Sequence, residues 1–221
     1  MSWRQLEWAL MAQNCHSTNL RRLSGFRSEP DIVKTVLTMH IGIMKAVLFP
    51  VLMVFACVLA GLYGALHNQI SYSVSPGYFH EFKFIQFGID QAFQNRLGAS
   101  IVGLQASWWM GIIIGIPIYL VGLFVRGTKL FIQAYLKAAM IVVGVTLTVG
   151  AAALLVSFFS VSPDNLPWWM DNRQVSNPVA FARAGMMHNH SYLGGGIGLF
   201  LGLAFTVWLA WKSRKQADTV G

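Results

Sequence analysis

Charged side chains are scarce in this sequence, where Asp, Glu, Lys and Arg make up 11% of the 221 residues. An ordinary water-soluble domain carries about 25%. Hydrophobic residues make up 55% of the chain, and they come in long blocks that a soluble core does not require. The composition therefore excludes a water-soluble globular protein and predicts an integral membrane protein.

Among the charged residues, the acidic ones are fewer than the basic ones, and none of the 8 lies inside an apolar block. Ion-coupled transporters and proton relays place Asp, Glu or His at membrane depth. Inverted repeats built on paired broken helices are not detectable either. The sequence therefore disfavours a secondary transporter, although it leaves an oligomeric pore open.

Cysteine is also rare, and catalytic motifs are missing. Cys15 lies in a polar segment and Cys57 in an apolar block, and neither has a C-x-x-C partner. A disulfide pair and a cysteine-based zinc or redox motif are therefore not expected. Ser191 follows His190, but the sequence lacks a G-x-S-x-G elbow and an oriented acid. No catalytic residue is predicted, and whether the protein is an enzyme stays open.

Four stretches are long enough to cross a bilayer, which takes about 20 mainly apolar residues. They cover about 46–66, 97–125, 138–159 and 193–211. The second exceeds a span, so either its helix tilts or its first part lies outside the bilayer with Trp108 and Trp109 at the outer interface. We prefer the latter interpretation. The expected fold is an all-α integral membrane protein, a bundle of four transmembrane helices within residues 44–215.

The basic residues lie at the ends of these stretches, and they predict the orientation. Twelve Lys and Arg fall on the side that holds both termini, and four fall on the other side. The positive-inside rule places the excess in the cytoplasm. Both termini are thus expected inside, with extracytoplasmic loops at about 67–97 and 160–192, in a bacterial inner (cytoplasmic) membrane. The +8 net charge forms no single basic face, so the expected partner is the lipid bilayer and not nucleic acid.

Residues 1–43 are polar and allow two interpretations. "SEPD" at 28–31 resembles a helix start, with Ser28 as the cap, and predicts a short interfacial helix leading into the first span. Alternatively, Met44-Lys45 before an apolar run is how a signal anchor begins, and 1–43 is then an upstream extension. Residues 216–221 are expected to be a polar tail.

Glycines recur at four-residue spacing in two of the spans. Small residues on one helix face allow close approach of helix backbones within lipid. The pattern predicts that these glycines form the packing faces of the bundle. They are Gly111 and Gly115 in the second span, and Gly194, Gly198 and Gly202 in the fourth.

The outer loops are rich in aromatic residues. "ISYSVS" at 70–75 alternates in polarity and predicts a short strand, ended by Pro76-Gly77. The aromatic residues predict a small cap over the bundle, or alternatively an interaction surface for a lipid tail, a quinone-like ring or a partner subunit. The candidate surface comprises Tyr78, Phe79, Phe82, Phe84, Phe87, Trp168 and Trp169.

Histidines gather near the outer ends of the spans. Imidazole suits zinc, copper, iron and nickel, and methionine favours copper(I). The tentative ligands are His67, His80, Met187, His188 and His190. No spaced metal motif supports them, so an interfacial histidine pair is the preferred interpretation of "MMHNH". Haem fits less well because no histidine lies deep within a span.

Two functional hypotheses result. The first is a non-enzymatic multi-pass inner-membrane protein, an accessory or interaction subunit that acts through its extracytoplasmic loops on a membrane-protein partner or a second copy of itself. The second is a membrane metal-binding protein that holds copper, zinc or iron on its outer face. A transition metal is the only cofactor that the sequence indicates.

Overall fold

The computed structural model of the protein describes residues 29–218. Cys15, the proposed cap Ser28 and residues 219–221 of the polar tail lie outside the described residues. The chain divides into two compact units, Met1–Met44 and Lys45–Gly221. Of the first unit, residues 29–44 are described, and they are helical.

Five long helices carry the fold. They are α1 (Glu29–Val74), α2 (Arg96–Ser107), α3 (Met110–Gly122), α4 (Thr128–Ser160) and α5 (Pro178–Asp218). Short helical turns lie at Pro76–Tyr78, Phe79–Lys83, Phe84–Gln86, Gln91–Phe93 and Trp168–Met170, and the second of these is a π-helical turn. Residues 29–218 contain no strand, and their only bridge joins Ser162 and Asn165.

Three of the helices, α1, α4 and α5, are each long and apolar enough to cross a membrane. Helices α2 and α3 meet at a bend of 41° and make a fourth span if they cross together. The prediction of an all-α protein is therefore confirmed, and the four predicted spans correspond to three membrane-length helices, or to four if the bent pair crosses as one. The stretch 97–125 is not one continuous helix, because the chain breaks at Trp108 and Trp109.

The predicted strand at 70–75 is also wrong, because α1 continues to Val74. Its buried side chains there are polar and follow a helical spacing: Asn68 and Ser71, with Ser75 directly after the helix, are at most 2% exposed. Extending an existing helix needs no new nucleus, so it outweighs a weak local strand preference. The hydropathy pattern did not reveal that α1 extends beyond the first predicted span, because the buried face of this extension is polar.

The buried core has two parts. One apolar cluster surrounds Tyr119, Phe131 and Tyr135 and joins α1, α3, α4 and α5. The other cluster surrounds Phe79, Phe84 and other residues that follow α1, and it joins them to α2 and to the first turns of α5. A mainly apolar cavity with a few polar groups in its wall is lined by residues of all five long helices.

The predicted packing glycines all lie against a neighbouring helix. A Cβ on Gly111 would come within 2.5 Å of the Ala56 carbonyl on α1, and one on Gly115 within 2.6 Å of the Tyr135 hydroxyl. On α5, Gly194, Gly198 and Gly202 face α4, with clearances of 2.9–3.2 Å to the nearest atoms. Gly64 and Gly103, which the sequence pattern did not single out, bring α1 and α2 together in the same way.

Candidate functional site

A cavity of about 90 Å³ lies among all five long helices. Small residues make room for it, because Gly64 and Ala60 of α1, Gly103 and Ala106 of α2, and Gly195 of α5 present little or no side chain to it. Most of the wall is apolar, with polar groups at a few points. Ligand sites in proteins commonly have this composition.

Two histidines from different helices meet in this cavity. His67 of α1 is 4% exposed, and its ring centroid lies 5.1 Å from that of His188 of α5, in an edge-to-face arrangement. The Nδ1 atom of His67 is 3.4 Å from the Tyr63 hydroxyl. Among the described residues, the Nε2 atom of His67 and the Nδ1 atom of His188 have no hydrogen-bond partner.

A third unpartnered atom belongs to Asn68, which is 1% exposed. Its Nδ2 donates to the Ala99 carbonyl at 2.9 Å, but its Oδ1 has no partner within residues 29–218. Three of the four such buried atoms thus belong to residues that line this one cavity. A buried polar atom without a partner costs about 1–3 kcal/mol, so such atoms are rare outside functional sites.

Hydroxyl groups complete the polar part of the wall. The Tyr63 hydroxyl donates to Ser191 Oγ at 3.3 Å, and Ser191 donates to the Met187 carbonyl at 2.9 Å. Thr146 donates to the Val142 carbonyl of its own helix at 2.7 Å. These groups have partners within the protein, whereas the three unpartnered buried atoms remain available to bind a ligand.

A smaller cavity of about 40 Å³ adjoins the first toward Tyr135. Both are lined by Ala60, Ile114, Val142 and Val143, and most of the further lining is aliphatic or glycine. The site is therefore polar at the histidine end and apolar at the other. An amphipathic small molecule suits this arrangement.

A third pocket, of about 220 Å³, lies beyond the histidines and shares His188 and Tyr192 with the first cavity. Lys83 and Arg173 supply its charge. Burial and, secondarily, the nearby Arg173 cation lower the pKa of Lys83 to about 8. Burial raises the pKa of Tyr78, so the hydroxyl of this wall residue stays neutral at ordinary pH.

Of the five tentative metal ligands, the structure brings only His67 and His188 ring to ring. His80 Nε2 lies 3.1 Å from the Tyr72 hydroxyl, and His190 Nδ1 lies 2.8 Å from the Met186 carbonyl. Met187 is 1% exposed, and its sulfur accepts a hydrogen bond from Ser71. Within residues 29–218, no group of three or more His, Cys, Asp or Glu residues is placed to hold a metal ion.

Three residues of the candidate aromatic interaction surface are buried: Tyr78, Phe79 and Phe84 are at most 4% exposed. They form the centre of the second core cluster, where the Tyr78 ring lies 4.9 Å from that of Phe181. The turns after α1 direct them inward because this segment has no other apolar core. Phe82, Phe87 and Trp169 are half-buried, whereas Trp168 is 81% exposed.

Sequence reasoning missed Tyr63, Asn68 and Ser191 as site residues. A signal was present, because Tyr63 and His67 on α1, and Met187 and Ser191 on α5, are four residues apart and share a helix face. Polar residues repeated at helical spacing within or beside an apolar block indicate an inward face. Comparisons with protein-family models, curated proteins and solved structures each find no match.

Proposed function

We propose that this chain is a non-enzymatic multi-pass membrane protein that binds a small membrane-soluble molecule in the cavity between its helices and acts as an accessory subunit of a larger complex. The observation that supports the proposal is the set of three unpartnered buried atoms, on His67, Asn68 and His188, around one cavity. Binding a ligand would supply the missing hydrogen bonds.

The proposed topology has four spans, with α2 and α3 crossing as one bent span and both termini in the cytoplasm. Helix α4 has 33 residues, about 50 Å at 1.5 Å per residue, whereas the hydrocarbon core is about 30 Å thick. Basic residues such as Lys45, Lys129 and Lys212 lie at the cytoplasmic ends. Counting about 20 residues from these ends places the histidine end of the cavity near the outer boundary and the second aromatic cluster beyond it, as an extracytoplasmic cap.

The size and polarity of the cavity define the ligand class. A dry cavity of about 150 Å³ holds a benzene molecule. The cavity of about 90 Å³ and its apolar annex of about 40 Å³ are together slightly smaller than that, so they hold at most one small ring, whose substituents or tail would lie outside. An imidazole nitrogen donates to a carbonyl or accepts from a hydroxyl, according to its tautomer, and Asn68 Oδ1 accepts. A quinone or quinol ring is membrane-soluble and has this chemistry.

Binding of a short-tailed benzoquinone and its quinol to the purified protein in phosphatidylcholine nanodiscs tests the proposal. We expect saturable binding, weakened about tenfold or more in His67→Leu and His188→Leu because each removes a hydrogen bond to a buried ligand group. His190→Leu is the matched control, since His190 does not line the cavity. Absence of saturable binding, or equal binding by folded His67→Leu, His188→Leu and control variants, would refute the proposal.

The second candidate is metal binding, which the paired unpartnered nitrogens of His67 and His188 favour. Copper(I) and zinc, each added alone to the same variants, test it. Stoichiometric metal that is lost in both cavity variants and kept in His190→Leu would support metal binding instead of ring binding. Co-purification in mild detergent tests the accessory role, and a clean monomer with no partner would count against that role.

A further inference from the structure

The pocket of about 220 Å³ beside the histidine cavity has a different chemical character. Two cations, Lys83 and Arg173, enter it from different segments. Five aromatic residues contribute to its walls: Tyr78, Phe82, Trp169, Phe181 and Tyr192. Lys83 belongs to the π-helical turn after α1, and Arg173 belongs to the segment before α5. The pocket therefore assembles only when these two segments fold together.

The two cations both lie near the same aromatic ring. The Lys83 ammonium lies 4.6 Å from the Phe82 ring centroid, and the Arg173 guanidinium lies 4.9 Å from the same centroid. Their charges are thus less than about 10 Å apart, which is about one Debye length at 0.1 M salt. Like charges at this distance repel each other unless an anion joins them.

No carboxylate among residues 29–218 lines this pocket. Glu81, two residues before Lys83, accepts hydrogen bonds from the backbone N–H and the hydroxyl of Ser176 instead. The titratable groups facing Lys83 are the Arg173 cation, Tyr78 and His188. Lys83 keeps one neutral hydrogen-bond partner, the Gln86 side chain at 3.0 Å. The positive charge of the pocket is therefore not neutralised by these surroundings.

We propose that this pocket binds a phosphate group, through the Lys83 ammonium and the Arg173 guanidinium. Arginine offers a planar fork that matches phosphate oxygens, and lysine adds a compact point charge. Asn189 lines the same pocket and contributes an amide N–H donor. The phosphate comes either from the head group of an anionic phospholipid or from free phosphate. This site shares His188 and Tyr192 with the ring-binding cavity, but its cations Lys83 and Arg173 do not line that cavity, and the proposal does not rest on the function proposed for it.

The experiment uses the full chain in nanodiscs of pure phosphatidylcholine or of phosphatidylcholine with phosphatidylglycerol. Native mass spectrometry counts retained phosphatidylglycerol, and calorimetry measures binding of inorganic phosphate in the phosphatidylcholine discs. We expect Lys83→Gln and Arg173→Gln each to weaken binding about tenfold and the double variant to abolish it, because each loses a charge-assisted hydrogen bond. Lys129→Gln and Lys137→Gln, exposed cations on α4, are expected to bind as the wild type does.

The outcomes separate the two sources. Retained phosphatidylglycerol that depends on both cations identifies a lipid head group, and binding of inorganic phosphate with the same dependence and no lipid preference identifies free phosphate. Lys83→Arg and Arg173→Lys keep the charge and should retain most of the binding. A wild-type protein that binds neither probe, or binding equal in the folded Gln variants and the controls, would overturn the proposal.

Discussion

Gly111 offers the sharpest test of how the helices pack. A Cβ at this position would lie 2.5 Å from the carbonyl carbon and oxygen of Ala56 and from the Cα of Cys57, whereas ordinary contacts begin near 3.4 Å. Gly111→Ala therefore requires α1 and α3 to separate by about 1 Å, because backbone on both sides cannot rotate away. Overpacking of this kind costs about 1–3 kcal/mol, and alanine returns up to about 1 kcal/mol of helix propensity.

Because the contact is with backbone atoms, we expect the upper end of the overpacking range, about 3 kcal/mol. After the gain in helix propensity, the free energy of unfolding should fall by about 2 kcal/mol. Gly144→Ala on α4 is the matched control, because its Cβ would have no atom within 4 Å; it should be neutral or gain up to about 1 kcal/mol. Titration with sodium dodecyl sulfate in mixed micelles, followed by circular dichroism, measures both. If Gly111→Ala unfolds at the same detergent fraction as Gly144→Ala, the close approach of α1 and α3 is refuted.

Three further predictions concern a helix end, the aromatic cluster and the phosphate pocket. Lys45→Met should lower the free energy of unfolding by about 2–3 kcal/mol, because the 6% exposed Lys45 ammonium donates to the carbonyls of Leu123 and Val125, directly after α3. Exposed Lys137→Met is the control, and equal unfolding midpoints for the two variants in the detergent titration would contradict this prediction. Phe84→Ala should lower the free energy of unfolding by about 3–5 kcal/mol, because it leaves a cavity in the aromatic cluster. Phe159→Ala, which changes a side chain that is 85% exposed, should lower it by less than about 0.5 kcal/mol. A small loss for Phe84→Ala in the same detergent titration would show that the aromatic cluster does not stabilise the fold. The pKa of Lys83, about 8, means that this group carries its charge below that pH and loses it above. Retention of phosphatidylglycerol, whose phosphodiester keeps one negative charge over this range, should therefore weaken between pH 7 and 9; retention that is constant over this range would contradict a role for Lys83.

The candidate site shows which parts of it were predictable. His67 and His188 were selected from their positions next to apolar blocks, and the structure does bring these two rings together. His190 was selected by the same rule and His80 because it lies in the first outer loop, yet each has a partner within eight residues along the chain. Position along a helix gives the depth of a residue, but the side chain's direction depends on helix rotation, which is decided by packing.

The aromatic residues after α1 teach a similar lesson. Their density was visible in the sequence, but which of them are buried was not, and Tyr78, Phe79 and Phe84 are at most 4% exposed. Phe181, which packs against Tyr78, is distant in sequence. Whether an aromatic residue faces solvent or core depends on such a distant partner.

The sequence by itself determined the helical membrane class, the approximate positions of the apolar helices and the polar segments that connect them. These follow from local composition, since a block of about 20 apolar residues and its charged flanks reflect the bilayer directly. Only the tertiary structure decided the bend at Trp108 and Trp109, the continuation of α1 to Val74, the cavity with its three unpartnered atoms and the paired cations over Phe82. Each of these depends on contacts between residues far apart in the chain. The way the helices pack determines which polar atoms are buried without a hydrogen-bond partner and which charged side chains lie next to each other.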